Sequence, residues 1–223
     1  MQPLKTKKQK KMGRAGNLAA SPAAFSSPLH MGDYDISRMT RIEFNRLKDL
    51  VATYARTPGL SFWERRQCAL EFVRACSATV AAEQAVLLPL LRRFPGDVSP
   101  ALVERAGRRR AGLLRALEEL DAARPDSPQH DALLERCYVL LTAAFAEMDQ
   151  RLLPVLDRAC GARERNAQGH RFYLYRLLFA PTRPHSWIPA DMAGGLVGAA
   201  VNAALAPLDW ARDLARFGLA LPV

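Results

Sequence analysis

The chain is poor in the residues that usually advertise chemistry. Among its 223 residues only four are histidine and four are cysteine. The cysteines (Cys68, Cys76, Cys137 and Cys160) contain no Cys-x-x-Cys pair, a spacing that suits buried thiols in a reducing compartment better than a zinc site or a disulfide framework. There is no glycine-rich phosphate loop, no nucleophile elbow and no zinc motif, so the reading is of a non-enzyme with no small-molecule substrate inferred. No apolar run of secretory-signal length follows the N-terminal basic stretch, and the expected location is the cytoplasm, with peripheral membrane contact as an alternative. Glycine is sparse at 13 residues against abundant Ala, Leu and Arg, which favours helix over sheet. Acidic residues are missing before Asp33, whereas six basic ones (Lys5, Lys7, Lys8, Lys10, Lys11 and Arg14) precede it and supply much of the formal charge of +10.

With 49% hydrophobic and 24% charged residues, the chain can bury a sizeable core and reads as one all-α domain with extensions. Residues 1–36 are too poor in apolar side chains to offset the entropy of ordering, and are expected to be a disordered basic arm. Ser37 or Thr40 can cap a first helix through about Tyr54, with Ile42, Leu47, Leu50, Val51 and Tyr54 at helical spacing. After Pro58-Gly59, Ser61 and Glu64 form a capping box for a second helix that runs to about Leu91. Ser99-Pro100 opens a third, ending near Leu120. A fourth follows the 124–128 loop and ends near Gly161.

A phrase occurs twice. Leu87-Leu88-Pro89-Leu90-Leu91-Arg92-Arg93 is matched by Leu152-Leu153-Pro154-Val155-Leu156-Asp157-Arg158, 65 residues later. An apolar helical pattern leads into each copy, so the expectation is two similar helix pairs in an antiparallel, up-down-up-down four-helix bundle over 37–162. An interior proline costs roughly 3 kcal/mol in a helix, so each copy is expected to mark a kink or a helix end.

Residues 38–161 resemble the hemerythrin-like family, the HHE cation-binding bundles that hold two iron ions between four helices. In that family the second and fourth helices read approximately His-x-x-x-Glu-Glu with Pro five residues on. Here those turns read Thr79-Val80-Ala81-Ala82-Glu83-Gln84 before Pro89 and Ala144-Phe145-Ala146-Glu147-Met148-Asp149 before Pro154. Residues at i and i+4 share a helix face. The resemblance therefore implies that Phe44, Thr79, Glu83, Arg110, Ala144 and Met148 take the inward positions where ligands would stand. Of these only Glu83 is a ligand type, so the implied metal site is degenerate and filled by apolar packing, with no cofactor. An inward Glu83 would seek a partner, and Arg110 is the candidate; the alternative is a partly exposed Glu83 beside Gln84. The histidines (His30, His130, His170 and His185) are expected in the tail, a loop and the C-terminal extension.

Residues 163–223 are expected to form a helical extension. Its basic-aromatic stretch, His170 to Arg176, reads as a fifth helix with aromatics on the bundle and Arg171 and Arg176 in water. Met192 to Leu208 carries no charge, and with Trp187, Trp210, Leu214 and Phe217 it forms the candidate contact for the bundle, a partner or a membrane. The leading functional reading is a non-catalytic binding or scaffold bundle with a protein partner or self-association. One alternative is a metal- or oxygen-binding carrier or sensor, with non-haem di-iron held by a rearranged set around Glu83, Glu147 and Asp149. The other is an anionic lipid or nucleic-acid binder using Lys5, Lys7, Lys8, Lys10, Lys11, Arg171 and Arg176.

Overall fold

The computed structural model describes residues 34–56, 59–124 and 127–185, together with 200–201, 204–205, 207–209 and 211–212. The expected arm up to residue 33, with its lysines, and Trp187, Trp210, Leu214 and Phe217 lie outside the described residues. Among the described residues every regular element is helical and none is a strand.

Helix α1 (Ile36–Arg56) starts earlier than Ser37 or Thr40 would set it. Asp35 makes the cap: its Oδ1 accepts from the backbone N–H groups of Ser37 at 2.9 Å and Arg38 at 3.3 Å. Ser37 and Thr40 instead turn their hydroxyls elsewhere, Ser37 to Asp157 and Thr40 to the Ile36 carbonyl. The buried stripe of α1 runs through Ile36, Met39, Phe44 and Leu47, while Ile42 is exposed. Helical periodicity alone admitted Ile42, but at 3.6 residues per turn it lies about 130° round the helix from the centre of that stripe.

Helix α2 (Phe62–Ala82) opens with the capping box in full, Ser61 accepting from the Glu64 N–H and Glu64 accepting from the Ser61 N–H. Gly59, at φ 85°, supplies the left-handed turn before it. A π-helical turn (Glu83–Leu87) then leads into α3 (Leu88–Arg92). Helix α4 (Pro100–Ala122) follows, and α5 (Pro128–Glu147) repeats the pattern, with a π turn (Met148–Leu152) and then α6 (Leu153–Ala159).

The two prolines are accommodated by these turns. In each, the helix takes up one extra residue, so Leu88 N–H donates to the Glu83 carbonyl and Leu153 N–H to the Met148 carbonyl, both five residues back. The widened turn clears the carbonyl that a pyrrolidine ring one residue later would strike, and places the missing N–H in a turn already out of α-helical register. Both turns begin 65 residues apart, as the prolines do. Leu87, Leu91, Leu152 and Leu156 are fully buried in the same positions of each copy.

Helix α7 (Ala162–Leu178) packs on α1, α2 and the first π turn. Phe172 and Tyr175 enter the same apolar cluster as Ile36, Leu87 and Leu152, so this helix sets its aromatics on the core of the preceding ones. At Gly169 an added Cβ would fall 1.5 Å from the Tyr34 carbonyl oxygen. Only glycine permits that crossing, which seats Tyr34 against His170 and Tyr173. Along the long helices, α4 packs on α5 and α2, and α1 packs on α2 and α5.

Two apolar clusters form among the described residues. One holds Ile36, Met39, Leu87, Val103, Ala106, Met148, Leu152 and Phe172; the other holds Phe44, Leu47, Phe72, Cys76, Leu113, Leu117 and Leu141. On every long helix the change from one cluster to the other coincides with buried polar residues: Thr40 and Glu43 on α1, Thr79 and Gln84 on α2 and its π turn, Arg110 on α4, Glu147 at the end of α5. A polar level thus divides the core.

Candidate functional site

The polar level holds the small cavity to which the inward positions lead. Phe44, Thr79, Glu83, Arg110 and Ala144 all line it, with Thr40, Leu47, Val80, Leu113, Leu141 and Phe145. Met148, the sixth expected residue, is buried in the cluster next to it. The cavity, partly open to solvent, has a volume of about 20 Å3. Phe44 and Phe145 stack face to face across one wall.

At its centre Arg110 Nε donates to Glu83 Oε2 at 2.6 Å, with the Arg110 side chain 2% and that of Glu83 12% exposed. Arg110 also donates from Nη1 to the Ala106 carbonyl on its own helix, which aims the guanidinium across the interior instead of along the surface. Glu83 is the first residue of the π turn, so the distortion that accommodates Pro89 also sets the carboxylate against α4. Glu83 and Arg110 thus meet as the candidate pair, beside the apolar Phe44, Ala144 and Met148 and the hydroxyls of Thr40 and Thr79.

Three further carboxylates each find their own arginines. Glu147 lies 2.6 Å from Arg105 Nε and 3.2 Å from Arg109 Nη1. Asp149 accepts from Arg41 Nε at 2.7 Å. Glu43 lies 3.0 Å from Arg176 Nη2 and 3.7 Å from Arg46. Glu83, Glu147 and Asp149 are thereby turned to separate cations, and among the described residues no group of three or more His, Cys, Asp or Glu side chains is placed to hold a metal ion.

Arg176 was expected in water as an anion contact. It is instead mostly buried between α7 and Glu43, and burial pushes its guanidinium below its ordinary value despite the pull of that carboxylate. Arg171 is exposed. His130, expected in a loop, stands in the first turn of α5 with its backbone N–H on the Ser127 hydroxyl. It is buried, its Nδ1 has no hydrogen-bond partner, and burial lowers its pKa, outweighing the nearby Asp131.

The cysteines carry no chemistry that the geometry supports. All four are unpaired, and Cys76, Cys137 and Cys160 are buried. Burial pushes Cys76 well above its ordinary value, Cys137 to about 12 and Cys160 to about 11. They stay neutral thiols and poor nucleophiles.

Glu43 escaped the sequence reading. Its signal was available, since a carboxylate sits midway between Met39 and Leu47 on an otherwise apolar stripe. No protein-family model, no curated protein and no solved structure matches this chain.

Proposed function

We propose that the chain is a divergent hemerythrin-like protein whose di-iron centre has been replaced by an arginine–carboxylate pair, and that it acts as a non-catalytic binding or scaffold bundle. In this reading α1, α2 with α3, α4, and α5 with α6 are the four staves of an up-down-up-down bundle, and α7 is an added brace.

One observation carries the proposal. Five of the six residues chosen from the family frame as inward ligand positions line a single cavity, and the cation that answers the one surviving carboxylate there is the guanidinium of Arg110. A carboxylate buried in a low-dielectric interior needs a positive partner. Iron supplies it in the family, and a side chain of the protein supplies it here.

The reading is tested by metal analysis and the near-ultraviolet to visible spectrum of untagged protein from iron-replete culture. The expected result is no stoichiometric metal and no oxo-bridge absorption. Close to two irons per chain would overturn it.

A further inference from the structure

The Glu83–Arg110 pair leaves hydrogen-bonding capacity unused at the cavity. A guanidinium carries five N–H donors; the bonds described use one at Nε and one at Nη1. Glu83 commits Oε2 and retains Oε1 as an acceptor. Thr79 spends its hydroxyl proton on the Ala75 carbonyl and Thr40 on that of Ile36, at 2.9 and 2.8 Å, so each hydroxyl oxygen keeps lone pairs and has no proton left to give. The cavity wall thus offers the remaining N–H groups of Arg110 together with three oxygens that can still accept, those of Thr79, Thr40 and Glu83 Oε1.

The volume selects the ligand. About 20 Å3 exceeds the roughly 10–15 Å3 that a single water needs. Dry cavities are apolar, whereas buried waters make about three hydrogen bonds to polar groups that lack partners. We infer that the cavity is a binding site for one internal water, which accepts from Arg110 and donates to two of the three acceptors, Thr79, Thr40 and Glu83. Such a water completes the ion pair without a second charged group. This inference rests on the metal-free reading above, because an iron centre would claim the same carboxylate and the same space.

The test is a crystal structure of the full-length, untagged protein at a resolution that shows waters, with anomalous data collected at the iron edge. In solution it is paired with water-to-protein nuclear Overhauser measurements at the Thr79 methyl. The expected result is one ordered peak within hydrogen-bonding distance of Arg110 and of Thr79 or Thr40, without anomalous signal, and a water contact at the Thr79 methyl. Ala144→Leu would fill the space and abolish that contact, while a small serine hydroxyl in Ala144→Ser would preserve it. A dry cavity, or a water contact unchanged in folded Ala144→Leu, would overturn this inference alone. An iron-edge signal in the cavity would overturn both this inference and the metal-free reading.

Discussion

The two copies of the Leu-Leu-Pro phrase share a backbone and differ in chemistry. Each has a long helix, a π turn that begins six residues before the proline, and a short helix whose leucines are fully buried. At the inward positions, however, the first copy presents Thr79 and Glu83, and the second Ala144 and Met148. The shared features all follow from proline sterics and leucine burial, which act on the chain locally. The polar difference depends on what faces each copy: Arg110 reaches Glu83 from α4, whereas Met148 sits among apolar neighbours. A frame can therefore persist while its chemistry is held or lost one position at a time.

The most severe way to break the comparison is to orphan the charge in the first copy. Arg110→Ala leaves Glu83 largely buried without its cation, and urea denaturation should show a loss of about 3–5 kcal/mol, the range for breaking a buried pair. The partial exposure of Glu83 places the expected value toward the lower end. Making the first copy resemble the second, by Glu83→Met together with Arg110→Leu, should recover most of that loss, since apolar replacement of a buried pair is often neutral or stabilising. A double variant no more stable than Arg110→Ala would mean that the pair specifies the packing of this level rather than only neutralising it.

Next in size are the leucines. Leu87→Ala and Leu152→Ala remove equivalent, fully buried side chains and should each cost about 2–5 kcal/mol by lost burial and cavity formation. If the copies are equivalent as frames, the two losses agree within about 1 kcal/mol. A much larger cost at Leu87 would show that the contact of its turn with α7 makes the first copy the more constrained.

This division also explains what was legible in the chain. Helix extents, the Ser61–Glu64 box and the doubled phrase come from short-range rules of spacing and cap chemistry, which one sequence displays in full, whereas the inward places of Phe44, Thr79, Ala144 and Met148 were expected only from the resemblance. The Glu43–Arg176 pair depends on residues far apart in the chain, as does the contact of Arg165 with Asp35, 130 residues away; the Asp35 cap itself is local and was passed over for Ser37 and Thr40. Arg176 was assigned to solvent because arginine is usually exposed, and its pairing with Glu43, which reverses that assignment, is visible only once α7 is laid on α1. The Glu83–Arg110 pair was within reach because a bundle of antiparallel helices, once assumed, sets the third helix beside the second.

The prolines give a smaller effect and a sharper question. If the π turns have absorbed the strain of Pro89 and Pro154, then Pro89→Ala and Pro154→Ala relieve little, and each should change stability by less than about 1 kcal/mol, mainly through greater freedom of the unfolded chain. Stabilisation near the 3 kcal/mol cost of an interior helical proline would show instead that strain persists in the turns.

The smallest expected effect separates the copies by pH. His130 of the second copy corresponds, 65 residues on, to Arg65 of the first, which stays partly exposed beside Tyr54 and Asp131. Burial lowers the folded-state pKa of His130 below its ordinary 6.5, so between those two values the unfolded chain binds the proton more readily than the folded one. Stability must then fall as pH drops below about 6.5 and level off once His130 titrates in the folded state. Asp35 acts in the same direction in a lower window. Burial opposes its ionisation, but the hydrogen bonds from Arg165 and the Arg38 and Ser37 amides prevail and hold its pKa below 3.8, so its contribution is lost only as pH falls through and below that value. Melting temperatures measured from pH 8 to 4 should decline below about 6.5 in the wild type and flatten in His130→Gln. An unchanged slope in that variant would remove the first turn of α5 as the acid-sensitive point and leave the copies alike in this respect as they are in backbone.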